Sequence, residues 1–392
     1  PFARFMELAL YHPTHGYYMR MGSDDSARRL GWDGDFYTSS DVHAVFGRLM
    51  ARQLRQIDAL LGHPTPLTLI EMGPGKGDLA RDILQSCETD PDLISRLRYL
   101  LIERSPAMRA AQQRTLDRWT PIPKSVSWAE SLDSLPSESL RGVLLSNELL
   151  DAFPVHRVRI VEGTARELAV DYQEGRFVER ALPLTNQALR SYLDRLSDMD
   201  ITPAEGQTAD INLLSLTWMR EVARVLARGI VLTIDYGHTA QDLFGPERRH
   251  GTLLGYRQQR LSEDPYQDVG LQDLTAHVDF TAVAMAGDEA GLAVTGFTNQ
   301  MSFLMSLGVE QEMEGLEPGS REFQAIIQLL RPEGMGRTFK ILIQHKGMDA
   351  PQLDGLRFKP FFGNTLGAPK VTSHLSTVTR GGSRHAHPHS SQ

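Results

Sequence analysis

Leu67-Thr68-Leu69-Ile70-Glu71-Met72-Gly73-Pro74-Gly75-Lys76-Gly77-Asp78 is the stretch on which the fold turns. Its first six residues form a mostly apolar run, three glycines follow at alternate positions, and a helical pattern continues over 78–87. A strand buried on both faces reads as such a run, and a glycine turn into a helix is the handover of a β–α unit. The unit recurs downstream. Arg98-Tyr99-Leu100-Leu101-Ile102-Glu103 reads as the next strand, followed by a helix over 106–119 that Pro106 suits at its first position. Short strands are expected over 125–128, 142–146 and 230–235, and another over 339–344 at the edge of the sheet. Strand–helix alternation of this kind specifies an α/β fold, a Rossmann-like doubly wound parallel sheet with helices on both faces.

Residues 44–61, with Val45, Leu49, Leu54, Ile57 and Leu61 near helical spacing, read as an amphipathic helix ahead of the sheet. Between the fourth and fifth strands the alternation breaks. Residues 155–180 read as hairpin material turning at Glu174-Gly175, and 186–226 as helices. The expected organisation is an N-terminal helical or lid segment over 1–62 and a core over 63–154 and 229–348. An inserted lobe over 155–228 interrupts that core, and the Ser-, Thr-, Gly- and His-rich 363–392 reads as a disordered tail.

The glycine turn is the first candidate site. Glycines let a ligand approach the backbone, and a helix N-terminus offers unpaired N–H groups. A phosphate-cradling loop needs Ser or Thr after Gly-Lys, but Gly77 follows Lys76. A dinucleotide fingerprint needs Gly or Ala where Asp78 stands. What remains is Glu71 followed by Gly73, Gly75 and Gly77, which suits a ligand without a pyrophosphate, such as S-adenosylmethionine. Glu103 ends the next strand, the place from which a carboxylate accepts both ribose hydroxyls. The plainer alternative is a tight strand–helix turn beside an exposed acid.

Ser146-Asn147-Glu148-Leu149-Leu150-Asp151-Ala152-Phe153-Pro154 follows the fourth strand, at the carboxyl edge where doubly wound sheets bind ligands. Burying Asn147, Glu148 and Asp151 unpaired among these apolar neighbours costs about 1–3 kcal/mol each, so they require partners. Two carboxylates facing one pocket suit a guanidinium, which donates paired hydrogen bonds. The alternative is a helix cap by Asn147 with two solvated acids.

Composition removes other classes. Of 392 residues, 41 are Lys or Arg and 49 Asp or Glu, and a net charge of −8 argues against a protein devoted to nucleic acid. The single Cys87 allows neither an internal disulfide nor a thiolate metal cluster, so a reducing compartment such as the cytoplasm is expected and no metal site. No apolar run reaches the roughly 18–20 residues of a membrane span. The start, Pro1-Phe2-Ala3-Arg4-Phe5-Met6, lacks the pattern of a signal peptide and an initiator Met, and reads as a processed chain.

Six motifs in order carry a family resemblance. They are Phe5-Met6-Glu7-Leu8-Ala9-Leu10-Tyr11-His12-Pro13 with Gly16-Tyr17-Tyr18, then Gly34-Asp35-Phe36-Tyr37-Thr38-Ser39, and Glu71-Met72-Gly73-Pro74-Gly75. Asn147-Glu148-Leu149-Leu150-Asp151-Ala152-Phe153-Pro154-Val155, Ile234-Asp235-Tyr236-Gly237 and Asp273-Leu274-Thr275-Ala276-His277-Val278-Asp279-Phe280 complete the series. The chain thereby resembles the MidA-like family of S-adenosylmethionine-dependent methyltransferases, which includes a mitochondrial complex I assembly factor that methylates an arginine. The resemblance implies a class I methyltransferase fold with S-adenosyl-L-methionine as cofactor. It implies that Glu71, Gly73, Pro74, Gly75, Gly77, Glu103 and Asn147 hold that cofactor. It further implies that the 34–39 loop, with Asp35, Phe36 and Thr38, closes over the site, and that Asn147, Glu148 and Asp151 flank the transferred methyl.

Three side-chain readings stay double. Trp128 borders the adenine or packs the core, His277 serves as a proton acceptor or as a packing residue, and Tyr11, Tyr17, Tyr18 and Phe36 cover a sulfonium or pack the N-terminal lobe. The implied acceptor is an arginine on a partner such as a respiratory complex subunit, in the cytoplasm or in the mitochondrial matrix of a eukaryote. A small-molecule N- or O-methyltransferase and a cofactor-binding assembly factor without turnover are the alternatives, and a homodimer is left open.

Overall fold

The computed structural model describes residues 1–19, 39–120, 125–258 and 260–359. Asp35, Phe36 and Thr38 and the tail over 363–392 lie outside the described residues.

In chain order the first elements are α1 (Phe2–Tyr11), α2 (Ser39–Val42) and α3 (Val45–Leu61). β1 (Leu67–Met72), α4 (Asp78–Cys87), α5 (Pro91–Arg96), β2 (Leu97–Ile102), α6 (Pro106–Thr115), β3 (Val126–Ala129) and β4 (Leu140–Asn147) follow. The insertion brings β5 (His156–Val161), β6 (Thr164–Gln173), β7 (Arg176–Pro183), α7 (Gln187–Asp198) and β8 (Thr208–Ile211). Then come α8 (Leu213–Val225), β9 (Leu226–His238), α9 (Ala240–Leu243), β10 (Leu254–Arg257), β11 (Arg260–Ser262), β12 (Asp273–Thr275) and β13 (Val278–Asp279). After α10 (Phe280–Glu289) and β14 (Ala293–Asn299), helices at Gln300–Ser306, Val309–Met313, Arg321–Leu330 and Met335–Thr338 lead to β15 (Phe339–Lys346).

The main sheet has the order β14-β15-β9-β4-β1-β2-β3, with β13 paired to the end of β9. β3, β2, β1, β4 and β9 run parallel, and β15 runs antiparallel to both β9 and β14. This corrects one expectation. The strand near the C-terminus lies inside the sheet, and the edge belongs to β14, whose Ala-Val-Thr-Gly-Phe-Thr-Asn carries no apolar run and is bulged between Val294 and Gly296.

Alternation within the apolar strands divides two cores. Leu69, Val143, Leu145, Ile230, Leu232, Ile341 and Ile343 face α3 and α4, whereas Ile70, Leu144, Val231 and Leu342 face α8 and α10. The helical reading of 186–226 is also corrected, because β8 separates α7 from α8, and α8 packs on α10 against the main sheet. β8 completes a four-stranded antiparallel sheet, β7-β6-β5-β8, in which Glu174 (φ 49°) and Gly175 (φ 81°) turn β6 into β7. Paired positive φ angles are what a tight hairpin turn requires.

A third core joins α1 to the inserted segments. Phe2, Met6, Ala9, Leu10 and Tyr17 pack with Val155, Leu253, Leu274 and Ala276. α1 is therefore held over the sheet's carboxyl edge by the insertions. Between β3 and β4 a single turn of 3₁₀ helix, Leu132–Ser134, replaces a crossover helix, leaving space beside α8. Asn212 ties these parts together: its Oδ1 accepts from Ser215 N (2.9 Å) to cap α8, and its Nδ2 donates to Leu150 O (2.8 Å).

Asn212→Ala removes a cap worth about 1 kcal/mol and strips the Leu150 carbonyl of its donor. Denaturant unfolding should register a loss of about 1–2 kcal/mol; an unchanged midpoint would show that the link bears no weight.

Candidate active site

The turn after β1 has three glycines with positive φ: Gly73 (66°), Gly75 (51°) and Gly77 (86°). A Cβ at Gly73 would stand 3.0 Å from Leu149 Cδ1, a tight contact that the side chain of Leu149 can relieve, so it is the positive φ that calls for glycine here. Gly73, Pro74 and Gly75 line a cavity of about 880 Å³ at the carboxyl edge of the sheet. Gly77 does not line it; it is the residue that opens α4.

Glu71 sits at the base of the turn and accepts a hydrogen bond from Tyr99 Oη (2.6 Å). Burial lifts its carboxyl to about 7, against the lowering effect of that hydrogen bond. Glu103 also lines the cavity. Its Oε1 accepts from Ser105 N (2.7 Å) and its Oε2 from Gln112 Nε2 (3.0 Å), and burial raises its proton affinity.

Gln112, fully buried on α6, carries no motif and the sequence reading passes over it. Its Nε2 also reaches Gly75 O (2.8 Å), while its Oε1 accepts from Trp128 Nε1 (3.0 Å). Trp128 thereby packs against the core, as the second of its two readings has it, and does not line the cavity. The cavity is bounded there by Glu130, Ser131, Leu132 and Asp133.

The segment after β4 is fixed by Asp235, the second residue the sequence reading undervalued. Its Oδ2 accepts from the N–H groups of Leu149 (3.1 Å), Leu150 (2.9 Å) and Asp151 (3.4 Å), and its Oδ1 from Tyr236 N (2.9 Å). Burial and the nearby Asp151 and Glu148 push its proton affinity up, while the N–H groups of Leu150 and Tyr236 oppose that. Glu148 takes φ 54°, a left-handed conformation that costs a non-glycine residue about 1–3 kcal/mol and gathers at functional sites. Its Oε1 accepts from Ser39 N (2.9 Å) and Asn147 Nδ2 (3.2 Å), so the carboxylate anchors the start of α2 as well as facing the cavity.

Asp151 lines the cavity and accepts a hydrogen bond at Oδ2 from Tyr236 Oη. Burial raises its carboxyl to about 6, with Tyr236 pulling it back down. Asn147 Oδ1 and Asp151 Oδ1 are buried and have no hydrogen-bond partner among the described residues. Two such acceptors on residues that line one cavity call for a donor, because leaving either unmet costs about 1–3 kcal/mol.

Asn147, Glu148 and Asp151 are thus brought together, and His277 is not. Its Nδ1 lies 3.0 Å from His238 Nε2, its ring meets the edge of Tyr236, and it does not line the cavity. Burial drops its pKa to about 4, and its contacts are those of the packing reading. Of the N-terminal tyrosines, Tyr17 is fully buried in the third core. Tyr11 and Tyr18 stack on each other with centroids 5.5 Å apart and line the cavity. Among the described residues no group of three or more His, Cys, Asp or Glu side chains is arranged for a metal, and no helix is long and apolar enough to cross a membrane.

Residues 49–298 match the model of a family described as S-adenosyl-L-methionine-dependent methyltransferases. The "Protein arginine methyltransferase NDUFAF7 homolog, mitochondrial" of Drosophila melanogaster is 30% identical, over 90% of this chain and 83% of that protein. The human "Protein arginine methyltransferase NDUFAF7, mitochondrial" is 26% identical, over 92% of this chain and 84% of its own length. A crystal structure from Burkholderia thailandensis bound to S-adenosyl-homocysteine superposes with a TM-score of 0.81 at 31% identity, covering 91% of this chain and 90% of that one.

Glu103→Ala removes a buried carboxylate acceptor worth about 1.5–3 kcal/mol per hydrogen bond made to a charged group. Calorimetric affinity for S-adenosyl-homocysteine should fall by about 10- to 150-fold; an unchanged Kd would remove Glu103 from the cofactor site.

Proposed function

Because the chain belongs to the family of S-adenosyl-L-methionine-dependent methyltransferases, we propose that it methylates a guanidinium nitrogen of an arginine in a partner protein. The observation that carries this reading is the pair of buried, unmet acceptors, Asn147 Oδ1 and Asp151 Oδ1, beside the Glu148 carboxylate in one cavity. A guanidinium offers five N–H donors and a positive charge, which suits that set of acceptors. The names of the relatives, protein arginine methyltransferases of mitochondria, support the same acceptor. A respiratory complex subunit is the partner we favour, met in the cytoplasm or, in a eukaryote, in the mitochondrial matrix.

The residues present fit the cofactor. The positive-φ glycines bring backbone close to the cavity, α4 points its N-terminus toward it, and Glu103 offers a ribose-binding carboxylate. Gly73, Pro74, Gly75, Glu103 and the 130–133 segment would hold it, and it supplies a methyl group activated on a sulfonium.

The protein's part is alignment and charge. Holding acceptor and methyl in line is worth up to about 7–11 kcal/mol. An arginine nitrogen has no free lone pair while the cation is delocalised, so Glu148 concentrates the positive charge on the nitrogens it binds and leaves the one that faces Asp151 nucleophilic.

Replacing Asp151 by Asn should lower kcat with an arginine peptide by about 100-fold or more while leaving S-adenosyl-homocysteine binding in place. Glu148→Gln should lower it less, because the amide oxygen still accepts from Ser39; turnover unchanged in both variants would sink the arginine reading.

The pH profile has a defined sign. A carboxyl lifted to about 6 is protonated below that pH and loses both its charge and its ability to take up a proton, so kcat/KM should fall as pH drops through about 6. A flat profile between pH 5 and 7, in about the range where Asp151 titrates, would contradict this. Proteome-wide mass spectrometry of a deletion strain should show the loss of a methylated arginine. Loss of a methylated small molecule instead would move the acceptor to another class.

A further inference from the structure

Resting on the arginine reading above, we infer that Tyr236 is a positioning residue: its hydroxyl occupies Oδ2 of Asp151, so that Oδ1 alone receives the proton released by the acceptor nitrogen. The asymmetry of the carboxyl carries this. Oδ2 accepts from Tyr236 Oη, whereas Oδ1, on a residue that lines the cavity, is buried without a hydrogen-bond partner among the described residues.

Four phenols from different segments surround the carboxyl. Tyr11 on α1, Tyr18 beyond it, Tyr256 on β10 and Tyr236 on β9 all stand near enough to feel its charge. Tyr11 Oη is committed to Ala152 O (2.9 Å) and Tyr18 Oη to Asp273 Oδ1 (2.8 Å). Among the described residues, Tyr236 is the one whose hydroxyl bonds to Asp151. The other charged groups facing Asp151 are Asp235 behind it and Asp273 across the phenols, with Glu148 three positions back along the loop.

Tyr236 is itself held rigidly. Its backbone N–H is fixed by the Asp235 side chain, and its ring meets His277 and Phe339 edge-on, with centroids 5.5 Å away in each case. His277 and His238 hydrogen-bond to each other behind it, so they support the ring without entering the cavity.

The step balances as follows. The acceptor nitrogen forms a bond to the methyl carbon while the carbon–sulfur bond breaks, and that bond's electron pair stays on sulfur as a thioether. The N–H proton passes to Oδ1 of Asp151 and later leaves to solvent. Hydrogen bonding to the charged form of a carboxyl favours that form. Tyr236, together with the backbone N–H groups of Ala152 and Asp151, therefore favours the ionised form of Asp151 against the effect of burial, and its hydroxyl fixes which oxygen is available.

The test compares the full-length chain with its Tyr236→Phe variant. The titration of Asp151 is read directly from its carboxyl stretch, as the infrared difference against Asp151→Asn, and kcat/KM with an arginine peptide is followed with pH. Loss of the hydrogen bond should move both titrations upward by about one pH unit. Turnover near pH 6 should then fall about fivefold, with the deficit closing as pH rises. Affinity for S-adenosyl-homocysteine should stay unchanged. Difluorotyrosine in place of Tyr236, a stronger donor of nearly the same shape, should move both titrations downward, and it decides the matter where Tyr236→Phe fails to fold. A pH-independent loss of turnover with the Asp151 titration unmoved overturns the inference. An infrared shift in a protein that turns over no arginine substrate upholds the role of Tyr236 and rejects the arginine reading. Turnover with no infrared shift does the reverse.

Discussion

The geometry of this site depends on one buried carboxylate. Asp235, at the end of β9, accepts N–H bonds from Leu149, Leu150 and Asp151 through one oxygen and from Tyr236 through the other. An irregular segment leaving a sheet has backbone N–H groups with no strand to pair them, and burying them unmet is expensive. Asp235 satisfies them all at once, and in doing so folds the 148–151 loop back over the end of β4. That fold places Leu149 against Gly73 and holds Glu148 in its left-handed conformation. It also brings Asp151 to the hydroxyl of Tyr236, the residue that follows Asp235 in sequence. Those donors favour the charged form of Asp235, while burial and the nearby Asp151 and Glu148 oppose it.

A second constraint comes from how the insertions are anchored. α1 finds its apolar partners at Val155, where the insertion begins, and in the segment after β9, in a core separate from the two that sandwich the main sheet. The cavity lies where this third body meets the carboxyl edge. The short connection between β3 and β4, with one 3₁₀ turn where a crossover helix would fill space, widens the cavity toward α8. Asn212, where the insertion returns to the core, caps α8 and holds the Leu150 carbonyl. Insertion, core and active-site loop are thus linked by single polar side chains.

Much of this was legible in the sequence because it rests on local rules. Apolar runs of five or six residues separated by helical patterns declared a parallel sheet, and the glycines at 73, 75 and 77 marked the turn whose positive φ angles only glycine adopts readily. Asn147, Glu148 and Asp151 stood out as polar residues inside an apolar stretch, and they do line one cavity. What escaped depended on distant partners. Nothing around Gln112 distinguishes it from any polar residue on a helix, yet tertiary packing makes it the link between Gly75, Glu103 and Trp128. His277 looked chemical because histidine so often is, and only the position of His238 reveals that its ring is spoken for. β14 was missed because a strand rich in Thr and Gly, with a bulge, has no apolar signature.

The most direct measurement is a crystal structure of the protein with S-adenosyl-homocysteine and an arginine-containing peptide bound together. A guanidinium nitrogen should lie within hydrogen-bonding distance of Asp151 Oδ1, roughly 2.7–2.9 Å for a charge-assisted pair, with Oδ2 still held by Tyr236. A guanidinium seated elsewhere, with Asp151 Oδ1 bridged to another group of the protein, would contradict the account.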